Sequence, residues 1–133
     1  MISGGGPLGS PGAALVSNSR ILNNCNEEDG GGMWLGASNA AIRDCVLSGN
    51  LGERGSAIEI RDAWGESHPL IQRCLITGNG SPSTLDGGAI YIAAVEARIE
   101  SCTISGNWAL VGGGIFADGF ESENTSAWSF AVP

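Results

Sequence analysis

The sequence predicts an all-β fold, a single-stranded parallel β-helix of about four coils wound around one axis. The first observation is an internal repeat. One small residue of this repeat falls at positions 19, 45, 74 and 102, in steps of 26, 29 and 28 residues. The second is a content of 22 glycines in 133 residues, which suits a chain that turns often. The third is that apolar residues alternate with other residues in runs too short for an amphipathic helix, as in strands.

Each copy of the repeat contains an apolar residue, two spacers, a small residue, one spacer, a second apolar residue, two spacers and an asparagine. This order occurs at residues 42–50, 71–79 and 99–107, and once more at 16–24 with Ser19 in place of cysteine. Stacked coils pair each strand in parallel with its own copies above and below, about 4.8 Å away. Equivalent positions are therefore expected to form ladders along the axis.

The small column consists of Cys45, Cys74 and Cys102, which we expect to point inward as small apolar side chains. Side chains of neighbouring coils project side by side, which is a poor approach for a disulfide, so these thiols should be reduced. Zinc binding is the alternative, but three thiols in line lack the tetrahedral convergence that zinc prefers. Cys25 falls outside the column and is the thiol expected to be exposed.

The asparagine column is the second structural ladder. We expect it to mark a sharp turn, because asparagine tolerates left-handed backbone geometry. The side-chain amides can also satisfy backbone groups or the next asparagine along the axis. The members of this ladder are Asn24, Asn50, Asn79 and Asn107.

A glycine-rich run precedes one strand of every coil, at residues 30–32, 55–57, 87–89 and 112–114. Alternation along each following strand directs one set of side chains inward and the other outward. The first outward column consists of Trp34, Glu59, Tyr91 and Phe116, and the next includes Arg61 and Asp118. The pattern therefore predicts an aromatic ladder on the solvent face of this sheet.

The order Ile-x-x-Cys-x-Ile-x-Gly-Asn followed by Gly-Gly-Gly-Ile-Phe, found within residues 99–116, resembles a known family. It is similar to the coils of the right-handed parallel β-helix with the pectate-lyase-like fold, especially the polymorphic outer-membrane-protein type of bacterial surface repeat. The resemblance covers Gly4 to Asp118. It implies a right-handed coil and an exported protein, extracellular or at the cell surface. Because the fold carries lyases, hydrolases, adhesins and stalks, it does not select one function.

We expect one domain over residues 1–133, as the chain length suggests. Residues 1–13 would form a partial N-terminal coil or tail, and residues 119–133 a C-terminal cap or a truncated coil. Open strand edges at the ends of a solenoid need a cover. We therefore expect the chain to be a fragment of a longer solenoid, whose signal peptide is not in this piece and whose remaining coils are its neighbours.

Composition excludes several classes of partner. The net charge is −8 and the pI about 4.3, and six basic residues could neutralise few phosphates, which argues against nucleic-acid binding. No apolar run approaches 18 residues, so we expect no membrane insertion by this segment. No phosphate loop, nucleophile elbow or zinc motif is present, so no cofactor and no metal are expected.

Two insertions flank the outward aromatic column. The distance from the last residue of a glycine-rich run to the first apolar residue of the repeat is fourteen residues from 57 to 71, but ten from 32 to 42. The distance from the ladder asparagine to the first residue of the next glycine-rich run is eight residues from 79 to 87, but five from 50 to 55. Inserted loops of solenoids often carry binding residues. The candidates on these loops are Trp64, Glu66, His68 and Asp86.

The first function hypothesis is a non-catalytic secreted or cell-surface segment, a stalk, passenger or adhesion module, that binds a polysaccharide or a surface protein. Aromatic rings suit the apolar faces of sugars, and charged groups suit their hydroxyls. Another interpretation is that the aromatic residues pack across strands or meet another domain. The candidate ligand-binding residues are Trp34, Glu59, Arg61, Trp64, His68, Tyr91 and Phe116.

The second hypothesis is a fragment of a polysaccharide lyase or glycoside hydrolase with this fold. Hydrolysis would need two carboxyl groups about 5 to 9.5 Å apart. The weak catalytic candidates are Glu59 and Asp86, although nothing in their spacing demands this role. His68 is the single histidine of the chain and is expected to be an exposed loop residue rather than a general base.

Overall fold

The computed structural model of the protein describes residues 2–3, 14–36, 38–62, 67–93, 96–111 and 113–118. These residues form strands and turns, and no helix among them is long and apolar enough to cross a membrane. The strands are β1 (Ile2–Ser3), β2 (Leu15–Ser17), β3 (Arg20–Leu22), β4 (Met33–Gly36), β5 (Ala41–Arg43), β6 (Val46–Ser48), β7 (Ile58–Arg61), β8 (Leu70–Gln72), β9 (Leu75–Thr77), β10 (Ile90–Ala93), β11 (Arg98–Glu100), β12 (Thr103–Ser105) and β13 (Ile115–Asp118).

The strands form three parallel sheets because every third strand joins the same sheet. The first sheet has the order β1-β4-β7-β10-β13, the second β11-β8-β5-β2 and the third β12-β9-β6-β3. Neighbouring strands in each sheet are parallel and in the register that the repeat sets. The chain is thus a parallel β-helix, and the predicted fold class is confirmed.

The number of coils differs slightly from the prediction. The described residues make about three turns, from β4 to β12, where about four coils were expected. Residues 4–13 and 119–133, at the two ends, lie outside the described residues. The expected N-terminal tail and C-terminal cap fall almost entirely on those segments.

In the interior, apolar side chains of the same type stack on one another from coil to coil. In the second sheet Ile42 pairs with Ile71, and Ile71 pairs with Ile99, and none of the three has exposed surface. A β-branched side chain fits the pleated strand, where its restricted rotamers cost little. Full burial of one such side chain stabilises the fold by about 1.5 to 3 kcal/mol. The core therefore gains the same contribution in each coil.

Two corners of each coil are made by single residues with left-handed backbone. One corner residue directly precedes the small column, and the other directly precedes the asparagine ladder. The first set is Asn18, Asp44, Arg73 and Ser101, and the second set is Asn23, Gly49, Gly78 and Gly106. The prediction that the ladder asparagines themselves are left-handed is wrong. The residue before each of them makes the turn.

The ladder asparagines hold successive coils together through their side chains. Oδ1 of Asn79 accepts the backbone N–H of Asn50 at 3.0 Å and its side-chain Nδ2–H at 2.9 Å. Nδ2 of Asn79 in turn donates to Oδ1 of Asn107 at 2.9 Å and to the carbonyl of Leu47 at 2.9 Å. Asn24 donates to Asn50 in the same way. The buried amides are thus satisfied by the neighbouring coils, as burial requires.

The cysteine column lies in the same interior. Cys45, Cys74 and Cys102 are free thiols that are 1%, 3% and 2% exposed. Sγ of Cys74 donates to the carbonyl of Ile42 at 3.6 Å, one coil before it. Contact with the Cys102 thiol and burial raise the pKa of the Cys74 thiol, so it stays protonated and apolar at neutral pH. Cys25, outside the column, is exposed.

Candidate functional site

The first sheet presents its outward side chains in two columns. Parallel register places Trp34 beside Glu59, Glu59 beside Tyr91, and Tyr91 beside Phe116. The second column places Arg61 beside Gly36 on one side and beside Ala93 on the other. The side chains of Phe116 and Asp118 lie outside the described part of the chain. The outer face is defined here as Trp34, Gly36, Glu59, Arg61 and Tyr91.

The indole of Trp34 lies against its own strand. A Cβ atom at Gly36 would fall 2.3 Å from both Cζ3 and Cη2 of the indole, so the ring occupies the space that any side chain at Gly36 would need. Residues two apart on a strand share a face, which brings these two together. Trp34 is half-buried in this position. The ring therefore lies along the sheet, with Arg61 in the neighbouring strand.

Glu59 and Arg61 also share a face of one strand, and they form an ion pair between Glu59 Oε1 and Arg61 Nε. The Arg61 guanidinium lies over the ring of Tyr91, with Cζ 5.5 Å from the ring centroid, within the range of a cation–π contact. The Arg61 side chain remains 39% exposed, whereas Tyr91 is 7% exposed. Arg61 thus links Glu59 to Tyr91 and covers the Tyr91 ring.

The carboxylate of Glu59 has no exposed surface. Gly30 packs against the base of the Glu59 side chain, since a Cβ at Gly30 would lie 2.9 Å from Cβ of Glu59. Burial raises the pKa of Glu59, the charge of Arg61 opposes the shift, and the charge of Asp29 adds to it. Neither carboxylate oxygen has a well-aligned hydrogen bond, and neither does Arg61 Nε, so the pair is held by charge more than by geometry.

The outer face therefore differs from the open aromatic ladder that alternation predicts. Its residues do point outward from the sheet, but Glu59 and Tyr91 are buried. The side chains bend along the sheet and cover one another, because a carboxylate, a guanidinium and a ring in adjacent strands attract each other. Arg61 and part of Trp34 remain open to a ligand.

The first inserted loop is closed at its base by side-chain contacts. Ser67 donates to Oδ2 of Asp62 from its backbone N–H at 2.9 Å and from its hydroxyl at 2.5 Å, and both residues are buried. The backbone N–H of His68 donates to Oδ1 of Asn39 in the preceding coil at 2.6 Å. His68 itself is exposed, as expected. The candidates Trp64 and Glu66 lie outside the described residues.

The second inserted loop is anchored from inside the coil. The hydroxyl of Thr84, which is 1% exposed, donates to the carbonyl of Gly52 at 2.9 Å. On the same turn Asp86 pairs with Arg54, with Oδ2 3.5 Å from Nε. Asp86 thus belongs to an ion pair on the turn, and Glu59 belongs to another on the sheet. The two weak catalytic candidates are engaged by different arginines.

Metal binding has no support in the part of the chain that the structure describes. Within those residues no group of three or more His, Cys, Asp or Glu side chains could hold a metal ion. The outer face instead offers an aromatic ring and guanidinium N–H donors. Such groups bind a ligand by stacking and hydrogen bonding.

Sequence reasoning missed several residues that shape this site. Gly36 makes room for the Trp34 ring, and the signal was a lone glycine two positions after an outward tryptophan in a strand. Asp62 and Ser67 close the first loop, and an Asp and a Ser at the two ends of an insertion were a weak sign of this contact. The approach of Gly30 to Glu59 had no local signal, because it joins two different coils.

The comparisons with known proteins agree with this architecture. A family model described as the right-handed β-helix region matches residues 3–127. No curated protein and no solved structure matches the chain. The family match spans almost the whole sequence and includes every described strand except the start of β1. The chain therefore belongs to the right-handed β-helix family.

Proposed function

We propose that this β-helix is a non-catalytic segment of a secreted or cell-surface protein and that its outer face binds a polysaccharide. The observation that carries the proposal is the placement of the Trp34 ring against Gly36, with the half-exposed Arg61 in the adjacent strand. The free side of such a ring suits the apolar face of a sugar. The guanidinium N–H groups suit its hydroxyls.

The state of the two candidate carboxylates supports binding over catalysis. A general acid or base must reach the proton that it transfers. Glu59 has no exposed surface and is paired with Arg61, whereas Asp86 is paired with Arg54. In these positions the buried Glu59 holds Arg61 in place, and the carboxylate of Asp86 is engaged by Arg54.

The binding test compares two tryptophan variants. Binding of the purified chain to a panel of polysaccharides is measured on a glycan array and then by calorimetry. Trp34→Ala should weaken binding at least about tenfold, because it removes the stacking ring. Trp108→Ala is the matched control, since Trp108 is 48% exposed on a turn away from the outer face. Equal loss in both variants, or capture of a surface protein with no glycan bound, would contradict the proposal.

The catalytic alternative is tested on the same polysaccharides. Release of reducing ends and of unsaturated sugars is measured over hours with the unmodified chain and with Glu59→Gln. We expect no product from either protein. Product that forms with the unmodified chain and disappears with Glu59→Gln would show instead that the chain is a polysaccharide-degrading enzyme.

A further inference from the structure

The charges on the outer face cancel. Arg61 is the one cation among the outer-face residues, and its guanidinium is paired with the Glu59 carboxylate on the same strand. The charge of Asp29 also acts on Glu59, where it raises the pKa of the carboxyl group. The chain as a whole carries a net charge of −8. The site therefore sits in a neutral to negative potential.

Arg61 nevertheless keeps hydrogen-bond donors for a ligand. Its guanidinium approaches Glu59 through Nε, and its two terminal nitrogens carry four further N–H donors. The side chain is 39% exposed and lies over Tyr91, and its strand is the neighbour of the strand that carries Trp34. A planar donor fork of this kind can span two adjacent sugar hydroxyls.

An acidic sugar would meet an obstacle that a neutral sugar avoids. Its carboxylate would compete with Glu59 for Arg61, and if it won, a fully buried carboxylate would be left without its partner. A buried carboxylate that loses its cationic partner is destabilised. A neutral sugar leaves the pair intact and uses only the remaining donors.

Building on the polysaccharide-binding function proposed above, we propose that the outer face selects neutral pyranose glycans with adjacent hydroxyls over acidic ones. The Trp34 ring stacks on one sugar ring, and Arg61 donates to its hydroxyls. Glu59 is the residue that sets this specificity. It acts by holding Arg61 and neutralising its charge, without contacting the ligand.

The selectivity is measured with oligosaccharides of equal length. Hexasaccharides of glucose, mannose and galactose are compared by calorimetry with hexasaccharides of galacturonic and mannuronic acid, at low and high salt. The best neutral ligand should bind at least about tenfold more tightly than either acidic one. Equal or tighter binding of an acidic hexasaccharide would overturn the selectivity and leave polysaccharide binding intact. If no hexasaccharide binds, both the selectivity and the glycan-binding function are wrong.

The role of Glu59 is tested by Glu59→Gln, with Glu53→Gln as its control. Each variant removes one negative charge, but Glu53 pairs with Arg54 on a turn, outside the outer face. In Glu59→Gln the ratio of the affinity for acidic glycans to that for neutral glycans should rise about tenfold, because the charge of Arg61 is no longer neutralised. Glu53→Gln should leave the ratio unchanged. The same ratio in both variants would overturn the role of Glu59, provided that their circular dichroism spectra match that of the unmodified chain.

Discussion

Asn50 donates from its side-chain Nδ2 to Oδ1 of Asn79, 29 residues further along the chain, at 2.9 Å. The two residues are 0% and 1% exposed, so water does not compete for this bond. The same bond recurs between Asn79 and Asn107. Each amide therefore joins its own coil to the next, and the ladder ties the third sheet to the turn that follows it.

The ladder predicts a large cost for one deletion. Asn79→Ala would leave the backbone N–H and Nδ2 of Asn50 and the carbonyl of Leu47 without their partner. Since each buried unsatisfied group costs about 1 to 3 kcal/mol, the free energy of unfolding should fall by at least about 3 kcal/mol. Urea denaturation measures it. The control is Asn26→Ala, because Asn26 is exposed, accepts the backbone N–H of Glu28 and does not belong to the ladder. Similar losses in both variants would contradict the ladder's role.

The small column predicts which replacements of Cys74 are tolerated. Cys74→Ser should cost only about 1 kcal/mol, since Ser19 occupies the equivalent position in the first copy and donates to the carbonyl of Ser17 at 2.8 Å. Cys74→Leu should cost about 1 to 3 kcal/mol, because the extra atoms overpack a column that is buried in the core. Thermal unfolding compares them. A leucine variant as stable as the serine variant would show that the column is not tightly packed.

The left-handed corners predict that replacing one of their residues, a serine, by glycine should increase the stability of the fold. Ser101 has φ of 53°, a conformation that costs less for glycine than for a residue with a side chain. After the greater freedom of glycine in the unfolded chain is counted, Ser101→Gly should still stabilise by about 0.5 kcal/mol. Ser105→Gly, in β12, should instead destabilise by about 0.5 to 1 kcal/mol. Changes of the same sign would argue against the assigned corner.

The position of the Trp34 ring predicts the effect of adding a methyl group at Gly36. Gly36→Ala places a Cβ where the indole ring lies, so the ring must move away from the strand. Gly36 has no left-handed backbone, so the substitution adds no backbone strain. Tryptophan fluorescence should shift to longer wavelength as the ring becomes more exposed, and glycan binding should weaken. The same substitution at Gly114, which also has no left-handed backbone and where a Cβ would meet Ile104 Cγ2 at 4.0 Å, should leave the spectrum unchanged.

The raised pKa of Glu59 predicts a pH dependence of stability. Because burial makes the folded state favour the protonated carboxyl, this group stabilises the fold most below the pKa of an unfolded glutamate, about 4.3. That contribution is lost as pH rises through the higher pKa of the folded state. The difference in unfolding free energy between Glu59→Gln and the unmodified chain should therefore change over this interval and then level off. Denaturation across pH measures it, and a difference that stays constant across this interval would contradict the raised pKa.

Much of the fold could be predicted from local patterns. The repeat places Ile42, Ile71 and Ile99 at equal positions, and the structure pairs them in register. Corner geometry was harder, since Arg73 and Asp44 carry left-handed backbone without a glycine to indicate it. Alternation also correctly placed Glu59 and Tyr91 on the outward side of the first sheet. It did not predict that both side chains are buried.

The sequence by itself determined the all-β class, the stacking of coils and the members of each ladder, because a fixed repeat puts identical side chains at identical heights. Only the tertiary structure decided how the outer face is covered. Arg61 lies over Tyr91, Gly30 packs on Glu59, and Trp34 lies against Gly36. The first two contacts join different coils, and all three depend on side-chain rotamers, which residue periodicity does not specify.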